Sequence, residues 1–266
     1  MDIKIYNKFI LFGSKYVKIN NQVEKIIENG CLKNNDYIVK MIINPPSKYN
    51  DLLDLLNNSE YVVFVYNKFT QDNLYYEIVK KYDYNLKYFH SKLNESQVND
   101  IICYLIYIQI ELFDNYGFVW HKLSLSNIFV ENNILIQKIY ISDLENSCIL
   151  DPKYGFVAYY NQNNLLINGD STNLVMKIYK TFIICISLLA DKKIMNDFLE
   201  KTKELKQTYY YKSNILFNVY KTNLLDNNAY EIYKYDLFII INQIIQECWN
   251  IYNNLSKKNA IDFLEE

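Results

Sequence analysis

WHKLSLSNIFV, residues 120–130, is followed after a polar turn by IYISDLE, residues 139–145. The runs IFV and IYI are β-branched and aromatic, and the segment between them opens on the polar Glu131-Asn132-Asn133. That pattern predicts two short strands folded back on one another. The hairpin would carry Asn127, just before its first strand, toward Asp143, just after its second. Each residue also has a purely structural reading: Asn127 as the cap of its own loop, Asp143 as a turn residue at a strand end.

Upstream, SQVNDIICYLIYIQIELFDNYG (96–117) has the apolar periodicity of a long helix stopped by Gly117. The first 90 residues are β-rich. KYVKIN and VEKIIENG predict a hairpin turning at Asn21-Gln22, and YIVKMII a third strand closed by Pro45-Pro46. DLLDLLNN is short enough for a single small helix. YVVFVYNKF and YYEIVKKY complete five expected strands. Downstream, NLVMKIYKTFIICISLLADK, IMNDFLEKTKELK and YKYDLFIIINQIIQECWNIYNN read as helices. A five-stranded unit followed by a helical one is the expected α+β organisation.

Composition narrows the functional classes. Half of the 266 residues are hydrophobic and 16% are aromatic, so a large core is available. Five glycines and three prolines leave little room for flexible linkers. A net charge of −2 gives no general attraction to polyanions. The chain has no arginine, so the bidentate forks that read guanine or clamp phosphate are missing, and specific nucleic-acid recognition is not expected. The excess of Asn, Ile, Tyr and Lys follows A/T-rich codons. Five widely spaced cysteines and only two histidines, with no CxxC, predict reduced core thiols and no zinc site. The first twenty residues lack a signal-peptide core, and no apolar run is long enough to span a bilayer. The chain therefore reads as an intracellular protein.

In this order the segments resemble the protein-kinase superfamily. YIVK ends on Lys40, at the place of the strand lysine that holds ATP phosphates. YYEIVKKYDYNLKYF is similar to the fifth strand, hinge and next helix, most of all to the casein-kinase and vaccinia-related-kinase branch. WHKLSLSNIFV resembles the catalytic loop H-R-D-L-x-x-x-N, with Asn127 at the metal-binding asparagine. IYISDLE resembles the strand ending in D-F-G, with Asp143 at the metal-binding aspartate. The resemblance implies one two-lobed domain over residues 1–266: an N-lobe to about residue 80, a hinge at about 80–85, and a helical C-lobe from about 86 onward. Lys40, Asn127 and Asp143 would be its nucleotide-binding remnants, and Asn127 and Asp143 its metal ligands if metal is bound.

The chemistry is degraded. Phosphoryl transfer needs a phosphate cradle, a lysine, metal ligands and a base. The turn around Asn20-Asn21-Gln22 has no glycine where backbone must approach phosphate. Aligned on Asn127, the catalytic aspartate becomes Lys122, its helper lysine Ser124, and the histidine and arginine Trp120 and His121. A protonated lysine cannot accept the substrate's proton. The D-F-G glycine is Glu145, there is no A-P-E, and the aspartate that opens the next long helix becomes Lys177. No helix glutamate stands out to pair with Lys40; Asp51 or Asp54 is the nearest. Lys122 is expected to pair with Asp143 and take the place of a metal, an attraction of about 4 kcal/mol at about 4 Å before desolvation. The resemblance implies a pseudokinase that regulates or scaffolds by binding protein partners, such as a host or viral kinase or its substrates, in host cytoplasm or nucleus, and of poxviral type. No cofactor is expected, with ATP and Mg the candidates if one binds. The alternatives are a slow, divergent serine/threonine kinase and an ATP-binding sensor.

Overall fold

The computed structural model describes residues 9–12, 15–18, 37–43, 49–71, 74–89, 92–131, 138–144, 147–154, 173–189, 191–223, 226 and 228–265. β1 (Phe9–Phe12) and β2 (Lys15–Lys18) form an antiparallel hairpin with Phe9 opposite Lys18. KYVK, the first part of KYVKIN, thus pairs backward with FILF, and the turn expected at Asn21-Gln22 lies outside the described residues. VEKIIENG lies outside the described residues.

β3 (Tyr37–Ile43), β4 (Val65–Gln71) and β5 (Leu74–Lys80) form a second antiparallel sheet in the order β3-β5-β4. Five strands begin before residue 80, but among the described residues they form a pair and a triplet rather than one five-stranded sheet. β5 takes β3 on one edge and β4 on the other, and β1 takes β2; the expected strand VEKIIENG lies outside the described residues. Between β3 and β4 lies the short helix α1 (Tyr49–Leu56), which buries Leu52, Leu53 and Leu56.

The chain leaves β5 through Lys81–Asp83 into β6 (Tyr84–Asn85). β6 pairs with β8 (Ile128–Val130), and β8 with β9 (Ile139–Ile141). The expected hairpin is therefore present, with Ile128 opposite Ile141. A parallel bridge ties it to the segment before β4: the Val63 amide donates to the Ile141 carbonyl at 2.9 Å, and the Ile141 amide to the Tyr61 carbonyl at 2.8 Å.

Below this lies the helical unit. α2 (Glu95–Tyr116) opens on a capping box between Asn94 and Gln97 and closes on Gly117, whose φ of 65° is the left-handed conformation of a helix stop. β7 (Phe118–Val119) follows and pairs with β10 (Cys148–Ile149). Then come α3 (Leu174–Ile186), α4 (Lys192–Lys201), α5 (Lys203–Thr222) and α6 (Ala229–Glu265). IMNDFLEKTKELK is not one helix but breaks at Thr202. That side chain is fully buried, and its hydroxyl donates back to the Phe198 carbonyl at 2.6 Å while contacting the Tyr179 hydroxyl at 2.8 Å. α5 covers QTYYYKSNILFNVYKT, which has no assignment from pattern. It buries Tyr209, Ser213, Phe217 and Tyr220 along one face.

A single apolar cluster runs from Leu52 through α2 and α3 to Leu255 of α6. Inside it the Gln109 amide on α2 donates to the Thr181 hydroxyl on α3 at 2.8 Å. Cys148, Cys185 and Cys248 are buried free thiols and Cys103 is an exposed one; burial pushes Cys148 up to about 12. Among the described residues no helix is long and apolar enough to cross a membrane.

Candidate functional site

The β8–β9 hairpin brings Asn127 and Asp143 together. Asn127 closes a 3₁₀ turn (Leu125–Asn127), and its carbonyl accepts the Ser142 amide at 2.9 Å. Its side-chain amide donates to the Lys122 carbonyl at 2.9 Å and to Asp143 Oδ2 at 3.3 Å. Lys122 Nζ lies 3.2 Å from the same Oδ2. The pair expected from the sequence is thus formed. Its side chains are 33% and 22% exposed, so water screens the attraction and the net gain is well below the bare Coulomb figure. Asp143 itself has a φ of 59°, the one positive φ outside glycine among the described residues, a region that aspartate tolerates better than bulkier residues do.

Below the loop, Trp120 is buried and its indole donates to the Ser142 carbonyl at 3.0 Å. Lys177, at the start of α3, is 8% exposed, and its ammonium donates to the His121 carbonyl at 3.2 Å. A cation bonded to a carbonyl fills a position where the resemblance implied an anion. His121 is held below its ordinary value of 6.5 by burial first, then by the charges of Lys177, Lys180 and Lys122. A depressed value leaves His121 mostly neutral at pH 7.

Lys40 lies on β3 in register with Glu77 on β5, and Glu77 is in turn opposite Lys68 on β4. The three positions form one row across the sheet, with Glu77 at its centre and buried. Asp54 serves Lys68 instead, at 2.7 Å, and is exposed. Asp51 is exposed on the same helix. The buried carboxylate opposite Lys40 comes from β5, which sequence reasoning missed. The signal was a lone Glu inside the apolar strand YYEIV.

Between sheet and hairpin lies a cavity of about 240 Å³, lined by Val63, Glu77, Val79, Phe129, Asn127 and Asp143 among others. At its edge Lys80 Nζ lies 2.8 Å from Glu131, which also accepts the Tyr140 hydroxyl at 2.9 Å. The Lys80 bond, more than any other contact, holds Glu131 below the usual carboxylate range.

The donor set does not suit a cation in this arrangement. Asp143 Oδ2 already takes an ammonium and an amide N–H. The Asn127 amide is oriented by the Lys122 carbonyl so that its nitrogen, not its oxygen, points to Asp143.

No protein-family profile matches the chain, and no curated protein does. Among solved structures it is similar to the PK-1 kinase of Cydia pomonella granulovirus, at 18% identity and a TM-score of 0.45. The match covers 59% of this chain and 60% of that one.

Proposed function

We propose that this chain is a kinase-like protein without phosphotransfer activity, which acts by binding other proteins. One observation carries the proposal: where transfer chemistry requires a base and a metal ligand, Lys122 and Asp143 neutralise each other at 3.2 Å. An ammonium cannot take a proton from an attacking hydroxyl, and a carboxylate so engaged is a poor metal ligand.

The surface supports a binding role. α5 and α6 form an antiparallel pair: Phe217 packs against Tyr233, and the Tyr209 hydroxyl reaches Glu247 at 2.7 Å. Their outward faces carry Tyr211, Ile215 and Val219 on one helix, and Ile232, Tyr235 and Ile239 on the other, all more than 40% exposed. The antiparallel register sets the two rows at overlapping heights. Six large apolar side chains on neighbouring helices fit a protein interface. The resemblance to the vaccinia-related-kinase branch, and with it a viral protein working in host cytoplasm or nucleus, belongs to this proposal.

The test is a phosphotransfer assay of the purified chain with MgATP and generic protein substrates, beside Lys122→Asp and Asp143→Asn. No transfer above buffer is expected from the native chain. Transfer by the native chain that vanishes in Asp143→Asn would overturn the proposal.

A further inference from the structure

Tyr82 lies in the connection between β5 and β6, and it is 6% exposed. Its ring packs against Val63 and Val79 on the sheet side. On the hairpin side its centroid is 5.8 Å from that of Phe129 and 4.5 Å from that of Tyr140. The Phe64 amide donates to its hydroxyl at 3.4 Å, so the ring reaches from the connection back to the segment leading into β4.

The same ring faces two hollows. The inner one is the 240 Å³ cavity that extends to Glu77, Asn127 and Asp143. The outer one, about 420 Å³, opens past Asp83, Tyr84 and Lys87. Tyr82 and Phe129 line both, so these two residues stand between them. Tyr82 is braced: Lys80 Nζ stands 5.3 Å from the Tyr82 ring and 5.7 Å from the Tyr140 ring while bound to Glu131. One cation thus holds two aromatic faces and the end of β8 together.

We propose that Tyr82 is a plug: its ring fills the slot between sheet and hairpin that a planar heteroaromatic ligand, such as a purine, would occupy, and keeps such ligands out. A flat slot with aliphatic walls on one side and aromatic walls on the other is a good receptor for a flat ring. Here the chain supplies that ring itself. Removing it joins the two hollows into one continuous cleft reaching from the surface to Asp143. The Lys80–Glu131–Tyr140 brace resists outward rotation of the connection, so the plug stays seated without any ligand.

This inference rests on reading the cleft as a remnant nucleotide site, and the test separates the two. The probe is adenosine, which carries neither phosphate nor metal and so reports on the slot alone. Thermal-shift and calorimetric titrations are run on the full chain, on Tyr82→Ala and on Tyr82→Phe. The native chain and Tyr82→Phe, which keeps the ring, are expected to show no saturable binding up to millimolar adenosine. Tyr82→Ala is expected to bind at least tenfold more tightly than either. If Tyr82→Ala does not melt cooperatively, Tyr82→Val, which keeps an apolar contact for Val63 and Val79 but leaves most of the ring's space open, is held to the same outcome. Saturable binding by the native chain as tight as by the variant overturns the plug, and so does a cooperatively melting Tyr82→Ala that ignores adenosine. A native chain that binds adenosine yet transfers no phosphate breaks only the plug; one that transfers phosphate breaks the inactive reading.

Discussion

The packed centre beneath the cleft and the cleft itself keep their shapes by opposite means. The centre is apolar and aromatic: Phe113 of α2 meets Tyr230, Tyr233 and Phe238 of α6, and Phe182 of α3 meets Phe198 and Trp249. The cleft is held by charge and hydrogen bonds: Lys122 on Asp143, Lys80 on Glu131, Lys177 on a backbone carbonyl. In the first region each residue is held by many contacts of similar kind. In the second, the contacts are directed ones between unlike groups: carboxylate with ammonium, amide with carbonyl. Each of these lysines meets a carboxylate or a backbone carbonyl within the cleft.

The contrast is most exposed to attack in the centre. Phe113→Ala leaves a cavity under α2 and is expected to cost about 3–5 kcal/mol, read as a loss of denaturation midpoint. A cost below about 1 kcal/mol would mean the centre does not carry the fold. Lys177→Met keeps the side chain's length and removes its N–H donor from the His121 carbonyl. The expected cost is about 1–3 kcal/mol, and a neutral result would show that the carbonyl finds another donor.

A finer test lies at Asp143. Asp143→Ala loses the Lys122 pair and keeps the left-handed backbone, so it should cost about 1 kcal/mol or somewhat more. Asp143→Gly loses the same pair but relieves the backbone, and should lie within about 0.5 kcal/mol of the native chain. Equal costs would mean that the φ of 59° stores no strain.

The smallest effect is the pH dependence. His121 in the folded chain lies below 6.5, so the unfolded chain holds its proton more readily. Its contribution is fully present above about pH 6.5 and declines as pH falls from there toward and through the folded-state value. Glu131 is also depressed, but from 4.5, so its loss belongs to a lower window. Denaturation midpoints between about pH 7.5 and 5.5 should slope downward, and His121→Gln should flatten the slope. An unchanged slope would assign it to other groups.

Much of the architecture was legible because it rests on periodicity and punctuation. The α2 pattern with its terminal Gly117 marked a helix with the right end, and the alternation of IFV and IYI marked the hairpin that joins Asn127 to Asp143. α5 was not legible, since the run from Gln207 to Asn214 mixes polar and aromatic residues and hides its face in a linear reading. Its burial at Tyr209, Ser213, Phe217 and Tyr220 follows from α6 lying beside it. The break at Thr202 depends on a hydroxyl turned to Tyr179, a contact with no local signature. In the cleft, Lys122 and Asp143 could be paired because the motif resemblance set opposite charges at two positions of one site. Glu77, Glu131 and Tyr82 could not, because their roles arise from register and from strands that meet only in three dimensions.

Gly117 sets the fold against its own gene. A Cβ there would run into the Asp151 amide nitrogen and stand 2.8 Å from the Tyr230 hydroxyl, on a backbone that already has positive φ. Every glycine codon begins with two guanines, so a drift toward A/T-rich codons steadily removes this amino acid, and the chain holds only five in 266 residues. At position 117 such drift meets a steric wall: saturation mutagenesis of this codon should return glycine alone among well-folded clones, whatever the mutational bias of the library.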